Sequence, residues 1–408
     1  MRSTSCYPLF LLPFVLGACT EHSLLEFDEP LPISVPAGDN AHGPRLAQGP
    51  DDTAILSWME RGEGDSTLKF SVLTEGAWQA ANTVISDSEM FVNWADLPAV
   101  TPIGSGALLA HWLSYTADAP YAYSIRTSRS DDHGDTWSAP SSPHTDGTPT
   151  EHGFVSLYTT DAGTGLIWLD GRKMGNEATG DPVDTGMTLR SATIAPDGSL
   201  LDEALLDDLI CDCCQTDIAM TEKGPIAIYR DRTREEIRDI YVARIVDGQW
   251  QPGVPISDDN WHIAGCPVNG PSLDTDGKLV VVAWFSAPGN KPIVQTAIST
   301  NSGKSFSTPL VIAQEKALGH VGISLIDAHS YAVSWMESDQ QGTYVINVRS
   351  VTIDGQTGPV HTIGRTGIAR NVPQMIRVKD RLVLAWTDQI GESTKIVSVG
   401  VPLLGFYD

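Results

Sequence analysis

One hydrophobic pattern recurs along the chain and sets the first expectation about its structure. It is a run of four or five mostly apolar residues that ends in an aromatic residue, as at residues 54–58 (A-I-L-S-W). Successive copies are spaced by roughly 50 to 60 residues, the spacing of a repeated supersecondary unit. Seven copies occur, and they end at Trp58, Trp112, Trp168, Tyr229, Trp284, Trp335 and Trp386.

Further strands surround each copy and complete a unit. A short strand, often opened by proline, precedes the copy, as at residues 98–100, and a strand of alternating polarity follows it, as at residues 121–126. A fourth, more polar strand ends the unit. Many short alternating strands separated by turns predict an all-β protein, and four strands per unit repeated around an axis predict a β-propeller. The seven copies favour seven blades, with six as the alternative.

The last blade is one strand short. After Trp386 only one further strand fits, at residues 395–402. The N-terminal segment 31–35 has no other assignment, so we expect it to complete this blade. That closure would join the ring and remove its exposed edges.

The N-terminus predicts export. A positive charge at Arg2 precedes an apolar run at residues 8–19, too short for a bilayer span of roughly 20 residues. Residues 16–19 (L-G-A-C) resemble a bacterial lipobox, which implies lipidation of Cys19; the alternative is an ordinary signal peptide with a chance cysteine. By the same resemblance, Thr20 implies the outer membrane of a bacterial cell envelope. The predicted division is a signal peptide at 1–18, a tether at 19–30 and one propeller domain at 31–408.

Two segments point to a family. Residues 130–137 (S-D-D-H-G-D-T-W) fit the pattern S-x-D-x-G-x-T-W, and residues 299–306 are a degenerate copy. The pattern resembles the Asp box of sialidases and related BNR-repeat proteins, in which it is a structural turn. The resemblance implies a sialidase-like propeller. Sialidases have six blades, however, so a seventh blade puts direct transfer of their catalytic residues in doubt.

Strand direction in a propeller decides which residues share a face. The loops that lead into inner strands and the loops that leave second strands lie together around one central mouth, a usual ligand site. These loops include His42, Arg61, Trp94 and the pair Arg370-Asn371. The residues predicted to bind a ligand are Arg45, Asp96, His152, Arg172, Gln215, Arg230, Arg238, Asn269 and His320.

The charged loops predict an anion site. The resemblance implies three arginines that hold a sugar carboxylate, a Tyr–Glu nucleophile pair and an aspartic acid/base. Arg172, Arg230 and Arg238 could form such a clamp, with Arg45 as a fourth candidate, because guanidinium groups bind carboxylates bidentately. No tyrosine can be assigned as nucleophile.

Two aspartates are candidates for an acid/base. They are Asp231 and Asp239, and each has an arginine neighbour in the sequence. The alternative is a salt-bridged loop that these aspartates form with Arg230 and Arg238.

The formal net charge of −25 argues against nucleic acid or an anionic membrane surface as the partner.

Export also determines which of the six cysteines can form disulfides, because Cys6 would be removed and Cys19 lipidated. In an oxidising compartment the remaining four cysteines are predicted to form disulfides. At least one of these bonds is expected to involve Cys266 and to link the fourth and fifth blades. A thiolate metal site with mouth histidines and a reactive thiol are the alternatives. These four are Cys211, Cys213, Cys214 and Cys266.

Together these features predict an exported, monomeric propeller lipoprotein that recognises an acidic glycan or other anionic ligand at its mouth. Hydrolysis of that glycan is left open, and sialidase activity in the strict sense is not expected. The membrane is contacted only through the lipid, and neither a cofactor nor a metal is predicted. The competing class is a non-catalytic propeller that binds a metal or a partner protein through the cysteine- and histidine-lined mouth.

Overall fold

The computed structural model describes residues 24–50, 53–174, 186–339 and 342–404. These residues form seven antiparallel sheets, and their only helical element is a 3-10 turn at Pro288–Asn290. The predicted all-β propeller is therefore confirmed with seven blades rather than six. Within the described ranges no helix is long and apolar enough to cross a membrane. The predicted signal peptide and Cys19 lie outside the described residues.

The strands are numbered in chain order. Two short N-terminal strands come first, and the other strands then follow blade by blade. They are β1 (Glu26–Phe27) and β2 (Leu31–Pro32); in the first blade β3 (Ala41–Gln48), β4 (Ala54–Arg61), β5 (Ser66–Thr74), β6 (Ala77–Trp78) and β7 (Asn82–Asp87); in the second β8 (Ala99–Gly104), β9 (Ala107–Tyr115) and β10 (Tyr123–Ser130); in the third β11 (His152–Thr160), β12 (Gly163–Asp170), β13 (Thr188–Ile194) and β14 (Leu200–Asp207). The remaining strands are, in the fourth blade, β15 (Asp217–Thr221), β16 (Gly224–Arg230), β17 (Ile240–Val246), β18 (Gln249–Trp250) and β19 (Val254–Pro255); in the fifth β20 (Ser272–Thr275), β21 (Val280–Ser286), β22 (Ile293–Ser299) and β23 (Leu310–Gln314); in the sixth β24 (Ala317–Asp327), β25 (Ser330–Ser338), β26 (Tyr344–Thr352) and β27 (His361–Thr366); and in the seventh β28 (Gln374–Val378), β29 (Arg381–Ile390) and β30 (Ser393–Leu404).

Both ends of the chain form the seventh blade. β2 pairs with β30 through Leu31 and Gly400, and the amide of Ile33 donates to the carbonyl of Ser398 at 2.9 Å. The predicted closure by segment 31–35 is thus observed. β1, within the segment predicted as a tether, also pairs with β30, and Phe27 is buried against the blade.

The second blade differs from the others at its outer edge. Its sheet has three strands, and the fourth position is held by a single bridge between Thr127 and Ser141. The inner strands β3, β8, β11, β15, β20, β24 and β28 lie next to one another around the axis.

The hydrophobic core is divided among the seven interfaces between blades. Each apolar cluster joins strands of two neighbouring blades, as where Phe70 of the first blade packs with Trp112 of the second. Every blade is therefore stabilised by both neighbours, and no blade has a core of its own.

The aromatic residues that end the second strands are buried, and most of them donate a hydrogen bond to a carboxylate. A buried indole N–H or phenol O–H needs such a partner. The acceptor lies two residues further along the same strand for Trp58, Trp168 and Trp335, namely Glu60, Asp170 and Glu337. For Trp112, Tyr229 and Trp284 the acceptor lies at the end of the outer strand of the preceding blade or shortly after it, namely Asp87, Asp207 and Asp259. Trp386 has no partner among the described residues.

The two octapeptides singled out in the sequence fold into the same turn. In the first, Asp132 accepts hydrogen bonds from the amide and hydroxyl of Thr136, and the Gly134 amide donates to Ser130. The φ of Gly134 is +94°, and a Cβ there would lie 2.4 Å from Phe70 of the preceding blade, so glycine is required. Asn301 replaces the aspartate in the second copy and accepts from the Ser305 amide.

Candidate functional site

The mouth of the propeller contains a cavity of about 470 Å³ between the seventh, first and second blades. It is formed by loops that lead into β3, β8 and β28 and by the end of β4, which is the face predicted from the sequence. Arg61 and Arg370 are exposed side chains of this cavity, and Trp94 and His42 are half-buried in its wall.

The arginines and the histidine of this cavity differ in their hydrogen bonding and in their charge. Neither Arg61 nor Arg370 has an ion pair or side-chain hydrogen bond within the described part of the chain. His42 Nδ1 lies 3.0 Å from the carbonyl of Asn40, while Nε2 is buried without a partner. Burial lowers the pKa of His42, and the charge of Arg61 lowers it further. The cavity thus combines two cations available to a ligand, a neutral imidazole, an indole and one carboxylate, that of Glu392.

A second cavity of about 220 Å³ follows the axis beneath the mouth. Three of the predicted ligand residues, Arg45, Gln215 and His320, line it. Burial raises the pKa of Asp217, also in this wall, to about 6, although the charge of Arg45 opposes the shift. Burial lowers the pKa of His320 to about 4. The axial cavity therefore contains both acidic and basic groups, and it adjoins the mouth cavity at Val372.

Three predicted ligand residues connect neighbouring blades. Asp96 Oδ2 accepts from the amide of Phe154 at 2.8 Å, and Asn269 Oδ1 accepts from the amide of His320 at 2.8 Å. The two residues that donate these bonds, Phe154 and His320, have positive φ, +52° and +50°, at an irregular start of an inner strand. Gln215 donates to the carbonyl of Ala95 and accepts from the amide of Gly270. These side chains hold the ring together, and their hydrogen-bonding atoms are used internally.

The three predicted clamp arginines all have partners inside the protein. Arg230 is only 2% exposed, and its three guanidinium nitrogens donate to the carbonyls of Asn269, Arg238 and Phe285. Its guanidinium also lies 4.9 Å from the ring centre of Trp261. Because Arg230 is buried, its guanidinium N–H groups donate to acceptors inside the protein.

The other two clamp candidates are also paired internally. Arg172 bonds Asp170 at 2.7 Å and Glu203 at 2.9 Å. Arg238 bonds Glu236 at 2.9 Å and Asp212 at 3.2 Å. A ligand carboxylate would have to displace these partners.

The two predicted acid/base residues are buried beneath the loops. Asp239 accepts from the amides of Asn260 and Trp261, so the salt-bridged loop expected as the alternative to the clamp does not form either. Burial and the neighbouring Asp207 raise the pKa of Asp231 to about 7. Asp231 can exchange a proton near neutral pH, but it is only 6% exposed.

A tyrosine–glutamate pair escaped the sequence analysis. Tyr123 donates a short hydrogen bond to Glu151 Oε1, in the loop that leads into the third blade. Burial raises the pKa of Glu151 to about 7. Tyr123 is only 1% exposed, and Phe91 is stacked on its ring with centroids 3.9 Å apart.

His152 belongs to a buried cluster with His144 and Asp146. The two imidazole rings are stacked at 4.0 Å, and Asp146 Oδ2 lies 2.7 Å from His144 Nδ1 and 3.2 Å from His152 Nε2. Burial lowers the pKa of His152, but Asp146 and Asp170 outweigh it and the net shift is upward. The ligand atoms of this cluster lie within 4.8 Å of one another, close enough for a metal ion.

The cysteines form a second group of side chains that could hold a metal ion. Cys213 is bonded to Cys266, so the predicted link between the fourth and fifth blades is present. Cys211 and Cys214 are buried free cysteines whose sulfurs are 2.8 Å apart. The prediction that all four are oxidised is therefore met for one pair only, because that separation exceeds a disulfide bond of about 2.05 Å.

Comparison with known proteins gives the fold. No family model and no curated protein matches the chain. It is similar to the structure of a protein of unknown function from Dyadobacter fermentans DSM 18053, with 12% identity, 93% of this chain and 99% of that one covered, and a TM-score of 0.51. It is also similar to the polysaccharide lyase Uly1, with 10% identity, coverage of 94% and 99%, and a TM-score of 0.53. A Trypanosoma rangeli sialidase is matched at 11% identity, with 88% of this chain and 60% of the sialidase covered and a TM-score of 0.45. The first two similarities show a shared fold over nearly the whole chain.

Proposed function

We propose that this protein is an exported, lipid-anchored propeller of a bacterial cell envelope that binds an acidic glycan in the mouth cavity. The observation that supports it best is the placement of Arg61, Arg370 and Trp94 in one cavity. The chain as a whole has a net charge of −25. Two available guanidinium groups therefore form a local cationic site on an acidic protein, which favours an anionic ligand over a cationic one.

The shape and chemistry of the cavity fit a carboxylated sugar. Its volume of about 470 Å³ is within the usual range for small-ligand sites. A guanidinium binds a carboxylate through two parallel hydrogen bonds, and the indole of Trp94 offers an amphipathic surface for a sugar ring. Asn371 adds an amide to the wall, although its side chain already bonds the carbonyl of Thr387.

Binding has more support than cleavage. One fold neighbour is a polysaccharide lyase, but at 10% identity it supports the glycan ligand only as an analogy of fold. Arg172, Arg230 and Arg238 are engaged internally, so a sialidase-type carboxylate clamp has no support from them. The lipid anchor rests on the N-terminal sequence, and the monomeric state is part of the proposal.

Isothermal titration calorimetry with a uronic-acid oligosaccharide tests the proposal, with the uncharged oligosaccharide of the same length as the control ligand. A charge-assisted hydrogen bond contributes roughly 1.5–3 kcal/mol, so Arg61→Ala and Arg370→Ala should each raise Kd by roughly tenfold to a hundredfold. Arg234→Ala is the matched control variant, because Arg234 is exposed on the loop after β16 of the fourth blade and does not line the cavity. Equal binding of the neutral sugar, or loss of affinity in Arg234→Ala as well, would refute the site.

A further inference from the structure

All four described cysteines meet in one sulfur cluster at the mouth face. Cys211 Sγ lies 2.8 Å from Cys214 Sγ and 3.9 Å from Cys213 Sγ, and Cys213 is bonded to Cys266. Cys211 and Cys214 are 1% and 2% exposed, whereas Cys266 is exposed. A buried thiol pair therefore touches a disulfide whose other end reaches solvent.

We propose that this cluster is a thiol–disulfide exchange centre, which passes two electrons from the buried Cys211–Cys214 pair to the Cys213–Cys266 disulfide and then to an external organic disulfide. This activity is independent of glycan binding. The geometric basis is that Cys211 is near both of its reaction partners at once. No movement of a blade is needed to bring the sulfurs together.

The internal exchange balances without any added oxidant. The Cys211 thiolate attacks Cys213 Sγ, a Cys211–Cys213 bond forms, and the Cys213–Cys266 bond breaks with its electron pair on Cys266, which takes up a proton. Cys214 then loses its proton and attacks Cys211 Sγ, which forms Cys211–Cys214 and releases Cys213 as a thiolate that is protonated. Two electrons and two protons have moved from the buried pair to the outer pair.

The outer pair can then react with an external disulfide. Cys266 attacks one sulfur of the substrate disulfide and forms a mixed disulfide with it, while the S–S bond of the substrate breaks and the other sulfur leaves as a thiolate that is protonated. Cys213 resolves that intermediate, restores the Cys213–Cys266 bond and releases the second thiol. One substrate disulfide is reduced to two thiols, and Cys211–Cys214 is left as the oxidised pair.

The surroundings of Cys211 favour the thiolate that starts this sequence. Arg238 Nη1 lies 3.4 Å from Cys211 Sγ, and Glu236 and Asp212 hold the guanidinium in place. Burial raises the pKa of Cys211, but the hydrogen bond from Cys214 and the charges of Arg230 and Arg238 outweigh it and lower the pKa to about 7. Burial raises the pKa of Cys214 well above its usual value. Cys211 is therefore the attacking sulfur, because the thiolate is the nucleophile.

Alkylation of the native full chain, purified without reductant, tests the internal exchange. With N-ethylmaleimide, peptide mapping should find label on Cys213 and Cys266 and a Cys211–Cys214 disulfide, at a rate that rises as pH passes through about 7. Cys211→Ser should abolish both labels. Cys214→Ser should give label on Cys266 alone, because the second step is blocked. Arg238→Met should slow labelling, whereas Arg238→Lys should retain much of the rate.

External transfer is measured with 5,5′-dithiobis(2-nitrobenzoic acid). The native protein should release two thionitrobenzoate ions per chain from this reagent, whereas Cys211→Ser should release none rapidly. Oxidised glutathione and a disulfide-bonded polypeptide, in separate arms, show which size of disulfide is accepted. Reduction of either supports the proposal. Label on Cys211 and Cys214 with Cys213–Cys266 intact, an unlabelled folded protein, or four thiols holding stoichiometric zinc or copper would each overturn it.

Discussion

Asp96 offers a direct test of how the mouth loops are stabilised. The substitution Asp96→Asn removes a buried charge, yet the amide oxygen can still accept the hydrogen bond from the Phe154 amide, 2.8 Å from Asp96 Oδ2. That bond fixes a non-glycine residue at a φ of +52°. The carboxylate also packs on Gly153, where a Cβ would lie 2.0 Å from Oδ2. Asparagine is therefore the variant that alters charge with little change in shape.

The magnitude follows from the titration of Asp96. Burial raises its pKa from 3.8 to about 7, and each pH unit is equivalent to about 1.4 kcal/mol. The side chain is 3% exposed, so solvent screens this effect little. The native state binds more protons than the unfolded chain between pH 3.8 and about 7, so the free energy of unfolding falls as pH rises through this window. The total loss from this group is about 4 kcal/mol at most.

Urea unfolding of both proteins at pH 4.5, 6 and 8 measures the effect. Asp96→Asn cannot ionise, so its free energy of unfolding should exceed that of the wild type by up to about 4 kcal/mol at pH 8 and by much less at pH 4.5. Asp135→Asn, at an exposed site of the first octapeptide turn, is the control for removal of one negative charge. If the difference between wild type and Asp96→Asn is the same at all three pH values, Asp96 is not the buried carboxylic acid described here.

Four further outcomes follow. Cys266→Ser opens a bond between residues 53 positions apart, worth about 4 kcal/mol by loop-closure entropy, and should lower Tm by several degrees in thermal unfolding. Arg230→Met leaves three buried carbonyls without their donors and should destabilise the protein by at least 2–3 kcal/mol in urea, whereas a role confined to ligand binding would leave stability unchanged. A fluorogenic sialoside should be hydrolysed negligibly; robust turnover would contradict the binding proposal. Cys19→Ser should move the protein from the detergent phase to the aqueous phase, and a mature N-terminus other than Cys19 would rule out lipidation.

The sequence was sufficient to predict the propeller because every blade repeats the same physical requirement. A second strand must be apolar on both faces, and it ends in a large aromatic residue that fills the gap between blades. The strand that completes the last blade was predictable for the same reason, because each blade needs four strands and only three could be assigned there. Only some of the carboxylate acceptors could be predicted in this way. Glu60 follows Trp58 by two residues, whereas Asp87 reaches Trp112 from a distant segment.

The sequence alone could not separate the arginines that line the cavity from those that are bonded inside the protein. Arg61 and Arg230 both follow second strands on the mouth face, and nothing in the local sequence separates them. The structure places Arg61 at an exposed cavity wall and Arg230 among backbone carbonyls. The difference depends on how closely neighbouring loops pack, which is a property of several distant segments together. The contacts of Asp96 and Asn269 could not be read from the local sequence for the same reason, since their partners belong to the next blade.

The seventh blade, shared by β1, β2 and β30, has a consequence for biogenesis. Its sheet is incomplete until β30 meets β1 and β2. If the chain is exported N-terminus first, as its N-terminal sequence predicts, β1 and β2 emerge early and must wait for β30. Six residues lie between Cys19 and Glu26 of β1, and this stretch reaches at most about 25 Å when fully extended. An anchored chain would therefore finish folding against the lipid surface, and the seam of the ring would face that surface. Closure would then be the step at which a chaperone or a protease of the envelope could intercept an unfinished molecule.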